Sequence, residues 1–233
     1  MLGFDSDNNL ILGIFDKSQG NMRLFRQNGN PIMDHNRKMF FNSFNKRVMA
    51  ADLVHGNKVT VVDDWTLGNI ITGCDALVTA SPDLILSITV ADCLPVYFSD
   101  RIKKVVGLAH AGWRGVENKI SQAVVKALVQ NYNSNQSDIE VFIGPHIGVC
   151  HFEVQKDVLG KFSLWPDFAV KRAGKTFIDL AGIVKRQLLD VGIVNIDISS
   201  ECAYCLKDKY FSFRRDNPGE DNLEVMAAYI GLK

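Results

Sequence analysis

The stretch from Leu84 to Ala111 constrains this chain more than any other. An apolar, β-branched run begins at Leu84 and continues to Phe98, and a second covers Val105 to Ala109. Both read as strands, within one hairpin-sized stretch. Two chemically able residues break the pattern. Asp92 and Cys93 interrupt the first run in "ADCLPVYF", and His110 closes the second immediately before "AGWRG". A thiol and an imidazole therefore stand at the same kind of boundary, between strand and turn.

Further strands are expected near Leu10 to Phe15, Val48 to Val62, Ala76 to Thr79, Ile139 to Ile143, Val194 to Ile198 and Met226 to Leu232. Helical spacing relates Val116, Ile120, Val124 and Leu128, a stripe that ends in the polar stretch Asn131 to Ser137. A second stripe of Leu180, Ile183, Val184 and Leu188 has Gly192 as its stop. Gly20 to Asn45 is polar and reads as loop and short helix. Strands come first and helices returning to strands follow, with no Pro/Ser linker or repeat to mark a boundary. The expectation is one α/β domain over residues 1–233, layered, with a mixed β-sheet flanked by helices.

With 233 residues and 47% hydrophobic content, the chain can bury a core without covalent staples. Its 26 basic residues match 26 acidic ones, so no net field draws it to nucleic acid or to an anionic membrane. "MLGFDSDNN" has neither the basic nor the apolar part of a leader, and no apolar run is long enough to cross a bilayer, so a cytoplasmic location is expected. Five cysteines, an odd number, argue for reduced thiols.

Three segments put a metal-binding side chain at a turn: His55 in "LVHGNKV", Cys93 in "ADCLPV" and His110 in "LAHAGWRG". Two imidazoles and a thiolate suit an open zinc site that keeps its fourth position for water or substrate. The same atoms also allow Cys93 to act as a nucleophile with His110 as its base. Taken singly, from spacing alone, each residue reads first as a core or turn residue. Gly112 and Gly115 flank Trp113 and Arg114 where a helix begins, a setting suited to phosphate. In "YFSFRRD", strand alternation sends one of Arg214 and Arg215 into a pocket and leaves the other to a surface carboxylate other than Asp216. Cys202 and Cys205 form the only C-x-x-C and lack a second pair, so they read as structural. His146 and His151, in "IGPHIGVCHFEV", read as polar loop residues near a site.

In order and spacing, "LVHG", "DALVT", "ADCLPV", "HAGWRG", "IGPHIG" and "YFSFRRD" resemble the YfiH family from about Asn36 to the C-terminus. That family was once described as laccase-type multicopper polyphenol oxidases and is now regarded as purine nucleoside phosphorylases with adenosine deaminase activity. The resemblance implies one zinc held by His55, Cys93 and His110. It also implies phosphorolysis of adenosine, inosine, guanosine and S-methyl-5′-thioadenosine, with deamination of adenosine at the same site. Asp75 and Asp92 are the acid/base candidates nearest those ligands in sequence. Phosphate is expected on Arg114 and one of Arg214 or Arg215. The family's N-terminal "FSTRxGG" is "IFDKSQG" here, its glutamine before the first histidine is Leu53, its cysteine after "IGP" is His146, and its C-terminal Gly-Arg pair is lost around Glu224 and Val225. These departures bear on substrate anchoring and spare the metal set. Three other readings use the same residues: a copper polyphenol oxidase, a cysteine hydrolase acting on a cell-wall precursor amide, and a nucleotide-binding partner without turnover.

Overall fold

The long apolar runs arise because their strands are covered on both faces, which removes the polar alternation of a half-exposed sheet. The computed structural model describes residues 9–27, 30–33, 35–42, 44–63, 69–216 and 223–233. Five strands form one sheet in the order Leu10–Phe15, Met226–Leu232, Leu84–Val90, Arg47–Asp52 and Ile70–Thr72. Six form a second, in the order Asn195–Ile198, Ile139–Ile143, Leu94–Asp100, Val105–Ala111, Ala76–Thr79 and Val59–Val61. Each mixes parallel and antiparallel pairs. The expected mixed sheet is therefore present as two.

Leu86, Ile88 and Met226 of the first sheet pack against Leu77, Tyr97 and Leu108 of the second. On the far side of the second sheet, Val96, Phe98 and Ala109 meet Val124 and Leu128 of helix Ile120–Tyr132 and Ile183 and Leu188 of helix Leu180–Leu189. All seven residues of Val105–Ala111 are buried. Val106 and Leu108 face the other sheet while Val105, Ala109 and Ala111 face the helices, as the two-residue period of a strand requires. The outer face of the first sheet is covered in part by Met22, Phe15 and Phe44. There Arg37, from helix His35–Asn42, is fully buried and donates to Met22 O at 2.9 Å and to Ser87 Oγ at 2.7 Å. Burial lowers its pKa to about 10.

Two expected single strands are each two strands in different sheets. Leu84 to Phe98 divides into Leu84–Val90 and Leu94–Asp100, and Val48 to Val62 into Arg47–Asp52 and Val59–Val61. These splits create two passages of the chain from the first sheet to the second, residues 53–58 and 91–93, and residues 73–75 make a third, from Ile70–Thr72 to Ala76–Thr79. Those three passages carry His55, Asp75 and Cys93. His55 (φ +58°) and Asp92 (φ +82°) adopt the left-handed conformation there, a strain that non-glycine residues keep only where surrounding structure enforces it.

The helix expected from Val116 is broken at Asn118 and Lys119 into Trp113–Glu117 and Ile120–Tyr132, with Lys119 left-handed. The polar segment Gly20 to Asn45 contains a hairpin, Leu24–Gln27 with Asn30–Met33, beside its short helix. The crossover from Ile139–Ile143 to its parallel neighbour Asn195–Ile198 adds helix Lys156–Lys161 and a small three-stranded sheet. Among the described residues no helix is long and apolar enough to cross a membrane.

Candidate functional site

His110 lies next to the end of Val105–Ala111, opposite Pro95 on Leu94–Asp100, so the sheet ladder itself brings it beside Cys93. His55 joins them from the first passage between the sheets. One ligand atom from each of His55, Cys93 and His110 lies within 4.8 Å of the others, and the two imidazole rings meet edge to face at 4.9 Å. One thiolate and two imidazoles suit zinc, and three protein ligands leave a coordination position open. The donor set thus fits the metal that the sequence resemblance implies.

Asp75 organises this cluster from behind. Its Oδ1 lies 3.2 Å from His110 Nδ1, and its two oxygens accept the N–H groups of Val54, His55 and Gly56 at 3.4, 2.8 and 2.7 Å. A carboxylate on Nδ1 leaves Nε2 to face Cys93 and His55, the arrangement that orients metal-binding histidines. Burial opposes the charge of Asp75, yet His110 and the Gly56 and His55 amides outweigh it and hold the carboxyl below its usual range. Burial likewise opposes a charged His110, but Cys93 and Asp75 raise its pKa to about 9. His55 is shifted down, first by burial and then by His110. The Asp75 side chain is fully buried with both oxygens engaged, a setting suited to positioning His110 and the turn at residues 54–56.

Asp92 ties the Cys93 passage to its neighbours. It is buried, its Oδ2 accepts the Arg214 N–H at 2.6 Å, and its carbonyl accepts the Ile147 N–H at 2.9 Å. Burial raises its pKa, against the pull of that Arg214 N–H. Gly112 and Gly115 also meet a packing demand. A Cβ on Gly112 would stand 3.1 Å from Cys93 Sγ and 3.4 Å from His110 Cε1, and one on Gly115 would stand 3.2 Å from Gly56 O.

A family model described as multi-copper polyphenol oxidoreductase laccase matches residues 16–233. The chain belongs to that family. It is similar to a purine nucleoside phosphorylase of Deinococcus radiodurans, 36% identical over 146 residues that span 61% of this chain and 56% of that protein. With the purine nucleoside phosphorylase YlmD of Geobacillus stearothermophilus it shares 32% identity over 203 residues, 81% of this chain and 73% of that one. The crystal structure of Bacillus licheniformis hypothetical protein YfiH, 28% identical, superposes with a TM-score of 0.85, covering 98% of this chain and 95% of that one. Family and fold class thus agree with the sequence expectation.

The arginines of this laccase-family chain divide differently from their strand reading. Residues 213–216 form a helical turn, so alternation does not apply. Arg215 is committed to structure: it pairs with Asp216 at 2.7 and 2.8 Å, the partner that sequence reasoning had set aside, and donates to the carbonyls of Ala203, Tyr204 and Tyr210. Arg214 is exposed, with one donor on Glu153 O and its guanidinium 5.5 Å from the Phe152 ring. Arg114 is exposed and stacks on Trp113 at 4.2 Å, close enough for its charge to lower the pKa of His55.

The second pair that Cys202 and Cys205 seemed to lack is Cys150 and His151. Ligand atoms of all four lie within 4.8 Å of one another, so the set could hold a metal. Cys150 and His151 follow strand Ile139–Ile143, and the C-x-x-C follows its parallel neighbour Asn195–Ile198. Two Cys/His pairs just beyond the ends of two crossover-linked strands is the signal that finds them. His146, by contrast, is buried with Nδ1 donating to Gly144 O at 2.8 Å. A separate groove of about 740 Å³, lined in part by Tyr97, Phe142, Glu201, Lys209 and Tyr210, includes none of His55, Cys93 and His110.

Proposed function

We propose that this chain is a zinc-dependent purine nucleoside phosphorylase acting at His55, Cys93 and His110. The observation that carries the reading is the meeting of two imidazoles and one sulfur from two sheet-to-sheet passages and a strand end, in a family whose relatives bear that name. Zinc bound there supplies Lewis acidity beside the substrate. Phosphorolysis forms a bond from a phosphate oxygen to C1′ of the ribose, breaks the bond from C1′ to N9, and leaves a protonated free base. The sugar carbon gains oxocarbenium character on the way, so an anion held against it lowers the barrier. That anion is assigned to Arg114 and Arg214, two exposed guanidiniums that each lie over an aromatic ring on segments next to His110 and Asp92. Asp92 fixes Arg214 relative to the neighbouring Cys93. Adenosine, inosine, guanosine and S-methyl-5′-thioadenosine are the proposed substrates, with hydrolytic deamination of adenosine as a second reaction.

Product identity tests this directly. Metal-loaded protein incubated with adenosine is expected to release adenine only when phosphate is present, and inosine in its absence. Neither product in the presence of zinc and phosphate would overturn the reading. Arg114→Ala and Arg214→Ala are each expected to raise the KM for phosphate roughly tenfold or more, the worth of one charge-assisted hydrogen bond. Their KM for nucleoside should change much less. An unaltered phosphate KM in both variants would remove the anion from these arginines.

One observation favours a different enzyme. Cys93, His110 and Asp75 stand in the order nucleophile, base and orienting carboxylate, as a cysteine hydrolase would require. His55 weighs against it, because a hydrolase triad has no use for a second imidazole facing the same sulfur. The copper oxidase reading suffers from its donors. Several coppers need many imidazoles, and of the five histidines only His55, His110 and His151 fall in the two clusters found among the described residues.

A further inference from the structure

Cys150, His151, Cys202 and Cys205 play no part in the chemistry above, yet they are assembled with the dimensions of a coordination shell. Cys150 Sγ lies 3.6 Å from Cys202 Sγ and 3.8 Å from Cys205 Sγ. His151 Nδ1 lies 3.2 Å from Cys150 Sγ and 3.3 Å from Cys205 Sγ. A tetrahedral zinc with bonds of about 2.3 Å to sulfur and about 2.0–2.1 Å to nitrogen sets sulfurs about 3.8 Å apart and sulfur to nitrogen about 3.6 Å apart. The observed edges sit close to those values. A disulfide does not explain them, since no two sulfurs stand at bonding distance and three thiols cannot all pair.

The surroundings are built to the same end. Gly148 donates its N–H to Cys202 Sγ at 3.2 Å, a contact that favours thiolate over thiol. A Cβ on Gly148 would lie 3.2 Å from Cys150 Sγ, so a larger residue there would press on that sulfur. The His151 ring stacks on Tyr204 at 3.9 Å and 14°, which fixes the direction of Nδ1. Tyr204 lies inside the C-x-x-C, so the loop that supplies two sulfurs also orients the imidazole supplied by the other.

We propose that these four residues form a closed, structural zinc site, separate from the open site at His55, Cys93 and His110. Four protein ligands leave no position for substrate, the mark of a structural and not a catalytic centre. The ion fastens the loop after Ile139–Ile143 to the loop after Asn195–Ile198. That second loop is the seat of Arg215, whose guanidinium holds the Ala203 and Tyr204 carbonyls, and Arg214 follows from it. The site therefore positions the arginine-bearing turn from a distance. Its metal requirement differs from that of the active centre: three thiolates and one imidazole against one thiolate and two imidazoles.

Metal counting on zinc-reconstituted protein tests this. Wild type is expected to hold two ions per chain, and Cys202→Ser/Cys205→Ser one. Cys93→Ala leaves the four-residue cluster intact, so it keeps the proposal testable if the double serine variant fails to fold. Loaded with cobalt(II), Cys93→Ala is expected to bind one ion with the intense charge-transfer absorption of three thiolates and the visible bands of a tetrahedral site. Absence of that spectrum would overturn the proposal. So would a wild-type stoichiometry of one ion that is lost in Cys93→Ala, or a native mass two hydrogens short with a mapped bond from Cys150 to Cys202 or Cys205.

Discussion

Cys93→Ala is expected to lower phosphate-dependent release of purine base by about 10³-fold or more, the equivalent of about 4 kcal/mol of lost transition-state stabilisation. The fold should survive the change. Cys93 is half-buried in a passage between sheets, and its loss removes one sulfur from a site whose other two donors stay anchored by Asp75. Circular dichroism and thermal melting should therefore shift little while activity collapses. The alanine variant alone does not separate a ligand from a nucleophile, because both readings lose the sulfur. Cys93→Asp does. A carboxylate binds zinc through oxygen but makes no thioester, so metal-loaded Cys93→Asp should recover a measurable part of the activity if the sulfur serves as a ligand. An aspartate variant that binds zinc yet is as dead as alanine, in a protein that thiol alkylation inactivates despite bound zinc, would transfer the chemistry to the thiol itself.

Cys93 and His110 stood out in the sequence because one interrupts an apolar run and the other closes the next. The partition into two sheets did not. Leu84–Val90 and Leu94–Asp100 are buried on both faces, so neither shows a period that would separate them, and the passage at residues 91–93 contains no glycine or proline to announce a turn. Asp92 makes that turn in a left-handed conformation which only the surrounding packing enforces. The roles of Asp75 and Arg215 were hidden for a related reason. Proximity to the ligands in sequence made Asp75 look like an acid or base, whereas its oxygens are spent on the amides of residues 54–56, some twenty positions away. Closeness in sequence set Asp216 aside as the partner of the second arginine, yet in the helical turn at residues 213–216 Arg215 bonds to it directly. The Cys150 to Cys205 cluster required knowing that Ile139–Ile143 and Asn195–Ile198 are parallel neighbours, a contact across more than fifty residues that composition does not encode.

Asp75→Ala is expected to damage stability and metal binding together. Its carboxylate is the acceptor for Val54, His55 and Gly56 N–H groups and the partner of His110 Nδ1, and its side chain has no exposure to water. The turn that carries these amides is partly exposed, so water replaces some of what is lost and each broken bond costs about 0.5–1.5 kcal/mol, a sum of about 2–4 kcal/mol. Asp75→Asn separates the two functions. One amide oxygen can still accept from the turn at residues 54–56, so the asparagine variant should fold, losing about 1–3 kcal/mol in chemical denaturation. With that oxygen on the Val54 and Gly56 amides, the NH2 falls where Oδ1 accepts from both His55 N–H and His110 Nδ1–H and can accept from neither, so the imidazole loses the partner that holds Nε2 toward the metal. Zinc affinity at this centre should fall about 10–100-fold, as it does when carboxylates behind metal-binding histidines are removed. Competition with a chelator in the asparagine variant, read beside its melting curve, tests the assignment. A variant that is destabilised but binds zinc with undiminished affinity would make Asp75 a turn-capping residue alone, and His110 would then owe its orientation to its place at the end of Val105–Ala111.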